Sequence, residues 1–210
     1  SRFDLSGYDG ILVFGACLER IYRRQGWGRR VWTWHEAADT RLFRPLPATS
    51  PDDDLVWIGN WGDGERSAEL REFLIEPAAR LGLRTTVHGV RYPAQALAAL
   101  ERAGIRYSGW LPNHRVPACF ARHRVTVHVP RRPYAEALPG IPTIRVFEAL
   151  ACGIPLVSAP WRDEEGLFPP GCHLTAGDGD QMRRHLRAVS ANRDLAEALA
   201  PLLADGDLLL

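Results

Sequence analysis

Short runs of consecutive apolar residues alternate along this chain with stretches whose apolar positions recur every three or four residues. Uninterrupted runs suit strands covered on both faces, and the longer period suits helices that bury one side. Residues 10–15 (GILVFG) therefore read as a buried strand, and residues 16–25 as a helix that Gly26 ends. Residues 30–34 are a second strand. From Arg44 to Asp54 the pattern gives way to three prolines and three aspartates, which marks a loop. The alternation then restarts with a strand at 55–59 and a helix at 65–81, where Leu70, Phe73, Leu74 and Ala78 share one face. Further strands are expected at 84–88, 105–107, 125–129 and 155–158. Helices are expected at 93–103, 116–121, 143–152, 178–190 and 192–203. Such strand–helix–strand alternation predicts an α/β fold, a Rossmann-like parallel sheet with helices on both faces.

Composition narrows the chemistry. A formal charge of +1 over 210 residues lacks the basic excess that a dedicated nucleic-acid binder needs. Every basic residue is arginine, so Schiff-base and P-loop lysine chemistry are excluded. The longest uncharged run, Ala149 to Trp161, is interrupted by Gly153, Pro155 and Pro160 and is too short for a membrane span. No basic-then-apolar leader opens the chain, and Cys17, Cys119, Cys152 and Cys172 show no C-x-x-C or Cys/His metal spacing. Reduced thiols in a cytoplasmic protein without a metal are the expectation.

In open parallel sheets ligands bind beyond the carboxyl ends of the strands, so the loops there carry the candidates. Gly59-Asn60-Trp61-Gly62-Asp63-Gly64-Glu65-Arg66 follows a strand. Its glycines permit close backbone approach, and Arg66 offers a planar fork for phosphate. A plain tight turn is the alternative. Pro142-Thr143-Ile144-Arg145 opens the 143–152 helix with Thr143 as N-cap, leaving amides that suit a diphosphate. Glu148 lies one turn further on among apolar residues and needs a partner, either two ribose hydroxyls or an arginine. Residues 122–145 carry five arginines against one acid, and Arg131 and Arg132 follow a strand as a basic rim or as a solvated loop. Trp61 is positioned to stack on a base or sugar. His88 and His114 are candidate cleft residues and His35 lies in a turn, with a structural role the more common reading of each.

The segment Arg145-Val-Phe-Glu148-Ala-Leu-Ala-Cys-Gly153-Ile-Pro155-Leu-Val-Ser158 resembles the nucleotide-sugar signature of GT-B-type glycosyltransferases. Together with Trp57-Ile-Gly-Asn-Trp-Gly62, Val127-His-Val-Pro-Arg-Arg132 and Ser158-Ala-Pro-Trp-Arg-Asp163, it is similar to the CgeB-type (spore-maturation-protein-like) branch. The resemblance implies that residues 1–47 are the tail of an amino-terminal Rossmann-like lobe with its crossover linker. Residues 48–210 would be the nucleotide-sugar-binding carboxy-terminal lobe. Glu148 would hold the donor ribose. Gly59, Asn60, Trp61, Gly62, Thr143, Ile144 and Arg132 would surround the donor, and Arg66 and Arg145 would stabilise the leaving diphosphate without a metal. Related retaining enzymes often carry a glutamate eight residues before the ribose-binding one; here that position is Gly140, so neither the donor sugar nor the stereochemistry carries over. The expected partners are a nucleotide-sugar donor and an acceptor of unknown class. A nucleotide-sugar epimerase or hydrolase on the same fold, and a non-catalytic α/β interaction module, are the competing readings.

Overall fold

The computed structural model describes residues 4–47, 51–62, 64–192, 195 and 199. The chain opens with β1 (Ile11–Val13), α1 (Ala16–Gln25) and β2 (Val31–Thr33), the two strands pairing in parallel. Gly26 ends α1 in the left-handed region at φ 66, where a side chain would strain the backbone. A six-stranded sheet follows, built from β3 (Asp53–Ile58), β4 (Thr85–His88), β5 (Arg106–Tyr107), β6 (His123–His128), β7 (Leu156–Ser158) and β8 (Leu174–Thr175). Its order is β5-β4-β3-β6-β7-β8, with every neighbouring pair parallel. The chain thus starts at the centre, winds outward over β4 and β5, and returns to β6 on the other side of β3. The direction of winding reverses between β3 and β6, and the crevice at their carboxyl ends is the natural ligand site of such a sheet.

Each face has its own apolar layer. On one, Leu70 of α2 (Ser67–Leu70), Leu74 of a π-turn (Arg71–Ile75) and Ala78 of α3 (Glu76–Leu81) pack on Leu55, Trp57 and Val125. Leu100 of α4 (Ala94–Arg102) and Met182 of α8 (Gly179–Ala191) complete that layer. On the other, Phe120 of α5 (Val116–Phe120) and Val146 of α7 (Ile144–Ala151) cover Val56, Ile58 and Leu156. Ala38 and Phe43, from the segment after β2, join this second layer. Each fully buried Leu, Val, Ile, Phe or Met side chain among these contributes about 1.5–3 kcal/mol.

Three local features depart from the sequence pattern. The helix expected at 65–81 begins at Ser67 and rewinds as a π-turn just before Pro77, whose ring removes an amide donor. A short α6 (Arg132–Glu136) occupies what reads as a basic loop, and the two-residue β8 is too short to show a period. The helix expected at 192–203 lies outside the described residues apart from 192, 195 and 199.

Candidate functional site

The loops after β3 and β4 meet backbone to backbone. A Cβ on Gly89 would stand 2.0 Å from the Gly59 carbonyl oxygen, so no side chain fits there. Asn60 Oδ1 accepts the Val90 amide at 3.1 Å, and Tyr92 Oη donates to the Gly59 carbonyl at 2.9 Å. Trp61 is buried against the Tyr92 ring at 5.6 Å, which spends its face on packing. Gly62 turns with φ 93 beside the Arg66 side chain. Arg66 is 8% exposed. It donates to the Asn60 carbonyl at 2.6 Å and the Val129 carbonyl at 3.0 Å, and lies 5.2 Å over the Trp57 ring. Burial, with Arg131 adding repulsion, lowers its pKa to about 10, so it stays cationic. It ties the β3 and β6 loops together across the reversal point.

The start of α7 lies on the same carboxyl edge, because a helix connecting two parallel strands runs against them. Thr143 is the N-cap in extended conformation, but its side chain makes no capping bond. The carboxylate of Glu36, from the segment after β2, is close enough for its pKa to respond to the Ile144 amide and to the charge of Glu148. Arg145 forms an ion pair with Glu148 one turn on, and Asn113 Nδ2 donates to Glu148 Oε1 at 3.2 Å. Glu148 is 2% exposed; burial raises its pKa, and Arg145 and Asn113 oppose that rise. Burial likewise lowers the pKa of Arg145, and Glu148 opposes it. Burial and the nearby charge of Glu148 raise Glu36, against the pull of the Ile144 amide. An arginine is therefore the partner of Glu148 in the unliganded chain.

The arginines of the expected basic rim are paired with carboxylates. Arg122 pairs with Asp52 at 2.7 Å, Arg124 with Asp54 at 3.3 Å, and Arg131 with Glu65 at 3.3 Å. Arg132 grips Glu69 at 2.9 Å. With Arg145 on Glu148, all five arginines of residues 122–145 have carboxylate partners, four of them contributed by other segments. Arg122 and Arg124 also lie at the amino end of β6, away from the site edge.

Sequence reasoning missed Glu36, Asn113 and Glu165. Glu165 Oε1 accepts the Ala16 amide at the start of α1 at 2.9 Å, and its Oε2 lies 3.4 Å from His35 Nε2. A Cβ on Gly15 would come within 2.7 Å of Ile141, so the front segment sits directly on the approach to α7. These contacts join residues more than a hundred positions apart, which no spacing rule detects. His88 is half-buried, its pKa lowered by burial. His114 falls in a short 3-10 turn (Asn113–Arg115). Among the described residues no group of three or more His, Cys, Asp or Glu side chains is placed to hold a metal ion.

Residues 66–201, nearly two thirds of the chain, match the family model described as "Glycosyl transferase-like". No curated protein sequence matches the chain. Solved structures share its fold at low identity. Sucrose-phosphate synthase from Thermosynechococcus elongatus superposes with a TM-score of 0.64 and 18% identity, over 94% of this chain and 53% of its own. T4 phage BGT in complex with UDP and Mn2+ gives 0.64 and 13%, over 88% and 52%. The C-terminal domain of a glycosyl transferase group 1 family protein (LpcC) from Francisella tularensis gives 0.60 and 14%, over 79% and 94%. The chain thus spans about half the length of the first two and nearly the whole of that isolated domain. Its fold is that of GT-B glycosyltransferase carboxy-terminal domains.

Proposed function

Since this chain belongs to the glycosyl transferase-like family, we propose that it is the donor-binding half of a metal-independent glycosyltransferase that moves a sugar from a nucleoside diphosphate to an acceptor. The motifs after β3, around β6 and through α7 favour the CgeB-type branch. The observation that carries this reading is the buried Glu148, held by Arg145 and Asn113 at the start of α7, on the carboxyl edge where the sheet reverses between β3 and β6. As the glycosyl bond breaks, negative charge builds on the departing diphosphate. Amides of Thr143, Ile144 and Arg145 aimed at it, with the positive end of the helix dipole, stabilise that charge without rearrangement. Gly59 and Gly62 let the backbone approach the phosphates, and Asn60, Trp61 and Arg66 hold that loop in place. Arg66 acts through its charge and through loop geometry, since two of its nitrogens serve carbonyls. Arg132 contributes at the rim once it leaves Glu69. Glu148 accepts the ribose hydroxyls, which take the place of Arg145 and free that guanidinium for phosphate.

Residues 1–47 belong, on this reading, to a second lobe that brings the acceptor. The exposed apolar face of β1 and β2 supports that assignment, with Leu12, Trp32 and Trp34 turned to solvent. Among the described residues no helix is long and apolar enough to cross a membrane. The free cysteines suit a cytoplasmic setting.

Calorimetric titration with uridine and guanosine diphosphates, in EDTA and then with Mn2+, tests the proposal. Binding of one of them in EDTA is expected, with little gain from the metal. Glu148→Ala should weaken it by about 1–3 kcal/mol, the cost of leaving buried polar groups unpaired. No heat at millimolar ligand, or binding only with Mn2+, overturns the corresponding part.

A further inference from the structure

The two oxygens of the buried Glu148 carboxylate are not alike. Oε1 accepts the Asn113 side-chain amide at 3.2 Å. Oε2 faces Arg145 as an ion pair, yet among the described residues it has no hydrogen-bond partner, and neither has Arg145 Nη1. A buried acceptor without a hydrogen bond is costly, and here it points to a donor that arrives with a ligand. Arg145 is partly exposed and has room to swing aside. Asn113 comes from a different element, the short 3-10 turn after β5, and is exposed. Pro112 fixes the entry to that turn at φ −58. A carboxylate only accepts, so the Asn113 nitrogen must be the atom that faces Glu148. The carbonyl oxygen Oδ1, at the other end of the same planar amide, is thereby directed away from Glu148 and can itself accept. The pair offers two acceptors in fixed relation, the buried Oε2 and the exposed Oδ1. A sugar with two neighbouring hydroxyls brings the two matching donors.

We propose that Asn113 is a specificity residue of the donor site, taking one ribose hydroxyl on Oδ1 while Glu148 takes the other on Oε2. This rests on the donor-binding reading above and divides the ribose contact between two elements, the turn after β5 and α7. Asn113 also acts through Glu148: by covering Oε1 it holds the carboxylate in the orientation that presents Oε2. A nucleotide whose sugar lacks the diol leaves both acceptors unpaired, and a site built to hydrogen-bond a hydroxyl rejects the analogue without it.

The test is calorimetry on the wild-type chain and Asn113→Ala, with the ribo and 2′,3′-dideoxy forms of uridine and guanosine diphosphate. The wild type should bind the ribo form of one base about tenfold or more tighter than its dideoxy form. Asn113→Ala should weaken the ribo form about tenfold, the loss of a hydrogen bond that leaves its partner unpaired, and leave the dideoxy form within about twofold. A loss shared equally by both forms, in a variant that melts like the wild type, is what mere support of the turn would give. That result overturns the proposal and leaves the donor reading intact, as does a wild type that binds ribo and dideoxy forms alike. If the wild type binds none of these ligands, the donor reading itself falls, and the role of Asn113 with it. Should the alanine variant not fold, Asn113→Ser, which also lacks the amide, is read in the same way.

Discussion

Arg66 is a cation used by the protein on itself. Its fork bridges the Asn60 and Val129 carbonyls while its flat face covers Trp57, a geometry that a lysine ammonium cannot copy. Arg66→Lys should therefore lower unfolding stability by about 2–4 kcal/mol in urea titration, since charged hydrogen bonds of this kind contribute about 1.5–3 kcal/mol each. Stability equal to wild type would show that the bridge is dispensable. His128 gives a pH test. Ser158 Oγ donates to the Ala159 carbonyl, so His128 Nδ1, 2.9 Å from that oxygen, must be the donor to it, and Nε2 is buried with no hydrogen-bond partner. Burial pushes its pKa down to about 3, and burial also lowers His88, His123 and His173. An unfolded histidine titrates near about 6.5, so below that pH the unfolded chain binds more protons. Stability is then fully present above pH about 6.5 and falls on acidification, by up to about 1.4 kcal/mol per pH unit from His128 alone. The raised carboxyls of Glu36 and Glu148 act in the opposite sense but are fewer. Urea midpoints from pH 7.5 to 5 should fall, and His128→Asn should flatten that slope; parallel slopes would remove His128 from the account. At this scale the sequence exposed residue types but not partners. Glu148 is visibly anomalous inside an apolar helix, whereas nothing linear connects Arg132 to Glu69 or His35 to Glu165.

Between elements, contact is set by positions with no side chain. The loops after β3 and β4 touch where Gly89 faces the Gly59 carbonyl, at φ 152, and the Gly59 amide in turn donates to the His88 carbonyl at 2.8 Å. Gly89→Ala forces both loops apart, since the obstacle is backbone and cannot rotate away. The expected result is a stability loss of about 1–3 kcal/mol, the range for overpacking, together with weaker nucleoside diphosphate binding. Equal thermal unfolding and unchanged titration heats would show that the loop after β3 does not need this seat. The major strands and helices were legible because β3 and β6 carry runs of buried residues and α1, α4 and α8 repeat at helical spacing. The π-turn and β8 were not legible. The first is a local rewinding inside an otherwise regular pattern, and the second gains its strand character only by pairing with β7. Thr143 marked the start of α7 correctly, yet its side chain makes no capping bond.

Across the whole molecule the two sheets are treated differently. The six-stranded sheet is covered on both faces, as parallel sheets require, but β1 and β2 are covered on one face only. Leu12 and Trp32 are paired in register there, and Phe14 and Trp34 extend the same face, with Leu12 59% and Trp34 69% exposed. An apolar strip of this size on a two-stranded parallel sheet has a strong tendency to bury itself against whatever surface meets it. In the chain as it stands, that surface is another copy. Sedimentation velocity should show association growing with concentration, and the Leu12→Ser, Trp34→Ser double variant should remain monomeric at the same concentrations. The strip belongs to β1–β2 and not to α7 or the Gly59 loop, so nucleotide affinity should be the same in both forms. A wild-type chain that stays monomeric throughout would mean that the strip is too small or too curved to drive docking, and would remove the support it lends to a covering lobe. A double variant that loses nucleotide binding while remaining folded would instead couple β1–β2 to α7, through the packing of Ala38 and Phe43 on Val146 and Phe147.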